Sequence, residues 1–246
     1  MTERLGFYRR VLESLLADGA IERGWRVLVV AGAEVDREAF AAAGFTDVTV
    51  TNLDPASGEE RQDAESLTYP DDSFDLAVIS AGLHHCASPH RALLELYRVG
   101  RFGLLALEAR DSALMRLAQR AGVVDEFELT AVAANDFRAG GVRNTATPNY
   151  VYRWTEREVE KTIASAAPQR LHRFVYFREL ELPVSVLELE GRARWRLAAA
   201  PLRLLTRVLP KQANLFAFAV FRAGLQPWMR DDSTLDEQEV RRRLEQ

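Results

Sequence analysis

Residues 26–31 read Arg-Val-Leu-Val-Val-Ala, an apolar, β-branched run with Gly24 shortly before it and Gly32 directly after it. A run that is apolar at every position, rather than at alternate ones, fits a strand covered on both faces, as in a parallel sheet. Upstream, Leu5, Tyr8, Leu12, Leu15 and Leu16 fall at helical spacing within residues 3–17, and Asp18-Gly19 stops them. Downstream, Asp36 to Ala43 reads as a helix closed by Gly44, Asp47 to Asn52 as a strand, and Phe74 to Ser80 as another. Ser88-Pro89 supplies a cap residue and a first-position proline for a helix to about Val99. Gly103 to Glu108 is a further buried strand. Strands alternating with helices at this spacing predict a doubly wound α/β fold.

After Arg110 the pattern changes. Residues 111–122 have helical spacing, but about 123–150 is polar and aperiodic, with the length of a lid or binding loop. Thr155-Glu-Arg-Glu158 is a capping box that opens a helix to about Ala166. Arg170 to Leu180 and Asn214 to Phe221 read as two strands, with a basic helical segment, 191–209, between them. The expected organisation is one domain over 1–246: a ligand-binding half (1–110), a lid (111–170), C-terminal strands with the basic helix (171–230) and a tail (231–246).

The composition narrows the function classes. The chain has 246 residues, 48% hydrophobic and 28% charged, enough for a sizeable core. Its one cysteine, Cys86, cannot close an internal disulfide, which argues against a stapled secreted scaffold. No apolar run nears the roughly 18 residues of a membrane span, and MTERLGFYRR lacks an apolar leader core, so a cytoplasmic protein without stable membrane insertion is expected. The net charge of −4 gives no reason to expect nucleic acid. That charge is uneven: residues 191–230 carry +8, the tail −3 and residues 1–190 −9. The basic helix is therefore expected to lay its arginines, Arg196, Arg203 and Arg207, on the acidic body of the same chain, with homodimerisation as the next option.

Ligands of an open α/β sheet bind at the carboxyl ends of the strands, which directs attention to four segments. Val27-Leu-Val-Val-Ala-Gly-Ala-Glu34, Asn52-Leu-Asp54, the block Gln62 to Val78 (QDAESLTYPDDSFDLAV), and Gly82-Leu-His-His85 with Arg91 to Val99 (RALLELYRV) together resemble a class I S-adenosylmethionine-dependent methyltransferase. The resemblance spans roughly residues 25–110, with weaker support around Leu215 to Arg222, and is most specific from Asp63 to Asp75. It implies a mostly parallel, seven-stranded Rossmann-like sheet with a helical or loop lid, S-adenosylmethionine as cofactor, and a small-molecule acceptor. It also implies roles: small residues at Gly32 and Ala33 for close approach to the methionine portion, and Asn52, Leu53 and Asp54 beside the ribose. Asp63 would accept from the adenine amino group, Ala64 would offer its amide, and Ser80 would complete the set. Two departures stand out. The first turn has one glycine where the family has two or three, and the acid expected after the second strand is Asn52, which accepts without charge. They leave open a fold kept without catalysis.

His84, His85, Cys86 and His90 hold three of the four histidines and the only cysteine within seven residues. An imidazole at the sheet edge suits a general base, with His85 first and His84 second because adjacent rings are expected to diverge. This points to O-methylation. No metal site is expected, since adjacent histidines rarely share an ion and the spacing matches no common zinc pattern; a metal-dependent enzyme built on His84, His85 and His90 is the remaining alternative. Cys86 reads as a small buried residue. Glu108 and Arg110 end the fifth strand, where Arg110 could instead pair with Asp111. Asn149, Tyr150 and Tyr152 belong to a stretch, Arg138 to Trp154, whose alternating aromatics would line a substrate pocket or pack in the core.

Overall fold

The computed structural model describes residues 3–181 and 193–245. Helix α1 (Glu3–Ala17) precedes β1 (Val27–Val30), followed by α2 (Glu34–Ala42), β2 (Val48–Asn52), β3 (Glu60–Arg61) and β4 (Phe74–Ser80). Then come α3 (Pro89–Val99), β5 (Gly100–Ala109), α4 (Ala113–Arg120), α5 (Leu129–Ala134), α6 (Glu156–Ala166) and β6 (Arg170–Glu179). Helix α7 (Ala193–Val208), β7 (Leu215–Leu225) and α8 (Glu237–Leu244) complete the order. The seven strands lie in the order β3-β2-β1-β4-β5-β7-β6. All neighbours are parallel except β7, which is antiparallel to both β5 and β6. The expected seven-stranded, mostly parallel, doubly wound sheet is thus the observed one.

The continuous apolar run of β1 has two burial partners, one for each face of the strand. Leu28 and Val30 point into a core with Leu93, Leu96 and Tyr97 of α3 and Val159 and Ile163 of α6. Val27 and Val29 point the other way, onto Phe7, Val11, Leu12 and Leu15 of α1 and Ala39 and Phe40 of α2. All four residues are fully buried, so each alternate side chain loses water and the run has no polar position. Emptying such a site, as in Leu12→Ala, costs about 2–5 kcal/mol.

Several elements differ from the sequence expectation, each for a local reason. The two-residue strand β3 is exposed at the sheet edge, so no apolar run announces it. Strands β5 and β7 extend beyond the expected spans, into segments that carry exposed residues such as Arg101 and Phe102. Helix α5 is six residues long, too short for a periodic signal. The tail forms α8 because Asp236 Oδ1 accepts from the amides of Gln238 and Glu239. Ser88 does not cap α3 with its side chain; instead Glu65 accepts from the amides of Ala87 and Ser88, at 3.1 and 2.8 Å. The expected lid is also narrower, because Trp154, Val159, Ile163 and Ala167 lie in the core. The residues of this segment that line the cavities at the strand ends run from Val124 to Asn144, with Val151 and Arg153.

No helix among the described residues is long and apolar enough to cross a membrane. Of the basic helix, Arg203 and Arg207 are exposed and form no ion pair among the described residues, so the expected docking of these two on the acidic body is not formed. The residues before Pro201, Arg196 among them, lie outside those whose side chains are described.

Candidate active site

The sheet reverses its winding between β1 and β4, and the turns after these two strands meet there. Ala31 and Ala81 both take left-handed backbone, at φ of 53° and 52°. Gly82 lies so close to the first turn that a Cβ on it would stand 2.8 Å from the Ala31 Cβ. Gly32 has a packing role as well: a Cβ there would come within 2.8 Å of methyls on Val29 and Val50. Asn52, at the end of β2, ties the neighbouring turns together. Its Nδ2 donates to the Gly32 carbonyl at 2.8 Å, and its Oδ1 accepts from the Asp54 amide at 2.9 Å. The Ala33 amide at the start of α2 donates to Asp36 Oδ2, a carboxyl whose pKa burial pushes up.

Around these turns lies a cavity of about 280 Å³, and adjoining it at Ala81 a second of about 220 Å³. The first takes in Asn52, Leu53, Asp54, Asp63, Ala64 and His85, six of the expected site residues, closed over by Gly140, Gly141 and Arg143. Gly32, Ala33 and Ser80 do not line it; Ser80 faces the second cavity with His84 and Glu108. Both oxygens of Asp63 are engaged by the chain itself, Oδ1 by the Glu65 amide at 3.0 Å and Oδ2 by Arg143 Nη2 at 2.6 Å. Asp54 uses Oδ1 to cap the turn at Pro55–Ser57, accepting from the Ala56 amide.

The histidines depart from expectation. A 3-10 turn over Leu83–His85 sets the two rings side by side, centroids 4.5 Å apart and planes 37° apart, so they converge instead of diverging. His84 Nδ1 stands 2.7 Å from Glu108 Oε2, whose Oε1 accepts from the Leu83 amide. His84 Nε2 and His85 Nε2 lie 3.5 and 3.4 Å from one atom, Glu128 Oε2. Burial alone would lower the His84 pKa, but Glu108 and then Glu128 outweigh it and raise it to about 9. Burial and the neighbouring His84 charge lower that of His85. His84 holds the Glu128 carboxyl down at about 2 against the cost of burial. His90 is not part of this group; it sits by Trp154 with Nε2 3.2 Å from Glu158.

The other expected substrate residues divide. Glu108 is in the group. Asn149 is buried behind it, donating from Nδ2 to Glu128 Oε2 at 3.2 Å while its carbonyl accepts from the Glu128 amide. Arg110 lines neither cavity and pairs with Glu156 at 2.6 Å, not with Asp111, which takes Arg116. Glu156 also binds Arg178. Tyr150 is exposed against Phe127, and Tyr152 donates to Glu158 beside Trp154; neither lines either cavity around the strand ends. Glu128 and Arg143 were not singled out from sequence. Both lie in the aperiodic segment, where no spacing reveals which side chain will reach back to the sheet.

A family described as "Methyltransferase domain" matches residues 25–106. The ubiquinone/menaquinone biosynthesis C-methyltransferase UbiE of Hydrogenovibrio crunogenus is 43% identical over 67 residues, 26% of this chain and 22% of that protein. The chain therefore spans about a fifth of the length of that curated relative. Among solved structures, an S-adenosylmethionine-dependent methyltransferase from Mesorhizobium loti superposes at a TM-score of 0.54, with 13% identity over 87% of this chain and 96% of the other. The [4+2]-cyclase SpnF shares the fold at a TM-score of 0.50, with 16% identity over 89% and 82%.

Proposed function

We propose that the chain is a class I S-adenosylmethionine-dependent methyltransferase, a reading supported by the methyltransferase-domain match over residues 25–106, and that it transfers a methyl group from this cofactor to a hydroxyl of a small molecule. The observation that carries the reading is the first cavity, which joins the carboxylates of Asp54 and Asp63 to the His85 imidazole at the switch point of the sheet. The donor set suits a nucleoside: Asp54 keeps an oxygen beyond its cap for ribose hydroxyls, and Asp63 with the Ala64 amide suits an adenine edge. When bound, the cofactor supplies an electrophilic methyl on a sulfonium. His85 takes the acceptor's hydroxyl proton onto its ring nitrogen and leaves the oxygen nucleophilic. The second cavity, lined by His84 and Glu108, holds the acceptor, and enclosure by the Gly140–Asn144 turn supplies orientation.

The relative's C-methylation supports a second product for the same machinery, because a deprotonated phenol is nucleophilic at carbon as well as oxygen. A second reading, a protein that keeps this fold without methylating, is favoured by the Arg143–Asp63 pair, which fills the place expected for adenine.

Titration calorimetry with S-adenosylmethionine and its demethylated product decides between them. Saturable binding and transfer of a 13C-methyl to an acceptor oxygen are expected. No heat at about millimolar cofactor would overturn the reading, and full turnover in His85→Ala would overturn the base assignment.

A further inference from the structure

We propose that His84, His85 and Glu128 form a binding site for a divalent cation of the zinc class, open towards the acceptor cavity. One ligand atom from each residue lies within 4.8 Å of the others. Two edges of this triangle, 3.5 and 3.4 Å from the imidazole Nε2 atoms to Glu128 Oε2, match those of a tetrahedral ion. Such an ion, with nitrogen and oxygen ligands at about 2.0–2.2 Å, has ligand-to-ligand edges of about 3.4 Å. Two imidazoles and one carboxylate, leaving a fourth position free, are also a donor set of catalytic zinc sites.

The surroundings support the same conclusion. The side chain of Glu108 is fully buried, and its Oε2 holds His84 Nδ1 at 2.7 Å. With Nδ1 committed there, Nε2 is the His84 atom turned towards Glu128, and a bound cation would take the place of the Nε2 proton. A carboxylate behind a ligating histidine is the usual outer partner of a metal-bound imidazole, fixing its tautomer and orientation. Asn149, wholly buried, does the corresponding work for Glu128 through its 3.2 Å hydrogen bond. Neighbouring histidines can share an ion in this arrangement because the Leu83–His85 turn brings both rings to one side. The site joins the sheet edge to the covering segment, so cation binding would fasten the two together.

The use of the cation rests on the methyl-transfer reading; its binding does not. A hydroxyl at the open position would lose its proton to solvent more readily through coordination, a route that replaces proton transfer to His85. The test uses the full chain, stripped with a chelator and without cofactor. Zn2+ is titrated by calorimetry, and Co2+ is followed by its visible absorption bands. One-to-one binding with tetrahedral-type Co2+ bands is expected, weakened at least about tenfold in Glu128→Gln and His85→Ala and about tenfold in Glu108→Gln. His90→Ala should bind as the parent does. Circular dichroism melts separate lost ligands from lost folding, and His85→Ala, at a partly exposed position, guards against a misfolded Glu128 variant. No saturable binding up to about 1 mM cation, or equal affinity in the folded variants, would overturn the proposal. Cofactor binding without metal binding would sink this site and leave the methyltransferase reading intact; metal binding without cofactor binding would do the reverse.

Discussion

Arg143 Nη2 lies 2.6 Å from Asp63 Oδ2, joining residues 80 positions apart across the mouth of the first cavity. The arginine backbone is left-handed, at φ of 50°, a conformation that costs a non-glycine residue roughly 1 kcal/mol. The covering turn therefore holds strain at the point where it grips the carboxylate.

If cofactor and arginine compete for Asp63, Arg143→Ala should tighten cofactor binding. The arginine is half exposed, and pairs of this kind contribute about 0.2–1 kcal/mol, which sets the expected gain at about 1.4- to fivefold in Kd. Asp63→Ala should weaken binding by about tenfold or more, the loss of a charge-assisted hydrogen bond. Calorimetric titration of the three proteins measures both, and unchanged affinity in Asp63→Ala would remove the residue from the adenine site.

The partly buried group of Arg110, Glu156 and Arg178 makes a pH prediction. Burial alone would raise the Glu156 pKa, but hydrogen bonds from Arg110 and Arg178 hold it at about 2, below its ordinary 4.5. A depressed carboxyl stabilises the fold above its unfolded pKa, and that stability disappears as pH falls from about 4.5 towards 2. Urea midpoints should therefore drop between pH 5 and 3 in the parent and less steeply in Glu156→Gln, which should also lose about 3 kcal/mol at pH 7 by leaving Arg110 buried without its partner.

The left-handed alanine at the first turn yields a stabilising substitution. Ala31→Gly relieves the positive φ of 53°, less the entropy that glycine adds to the unfolded chain. The expected net gain is about 0.5–1 kcal/mol, or roughly 1–4 °C in Tm for a chain of this size. A lower melting temperature would show that the Ala31 methyl packs more tightly than its strain costs.

Cys86 should be inert in the native protein. Burial, then the carboxylates of Glu65, Glu108 and Asp63, push its thiol up to about 12, so almost no thiolate forms at pH 8. A chromogenic disulfide reagent should leave it unmodified until urea unfolds the chain, and rapid native labelling would contradict the burial of this loop.

The sequence by itself determined the central strands of the sheet. The run Val27–Val30 must be covered on both faces, the apolar stretches at Phe74–Ser80 and Gly103–Glu108 repeat that demand, and their spacing forces helical crossovers. It also picked out Asn52 and Asp54, because strand ends and turns are specified by neighbouring residues, while Asp63 came from the resemblance of its block to a known family. Only the tertiary structure decided what these side chains do. Asn52 is consumed in tying two turns, Arg110 in a buried ion group with Glu156, and Asp63 in a pair with Arg143. The two histidines share Glu128, a residue about 40 positions away in an aperiodic segment. Burial patterns and turn chemistry act over a few residues and leave a periodic trace. Ion pairs and imidazole environments are set by segments that meet only after the chain has folded, and no local pattern records the meeting.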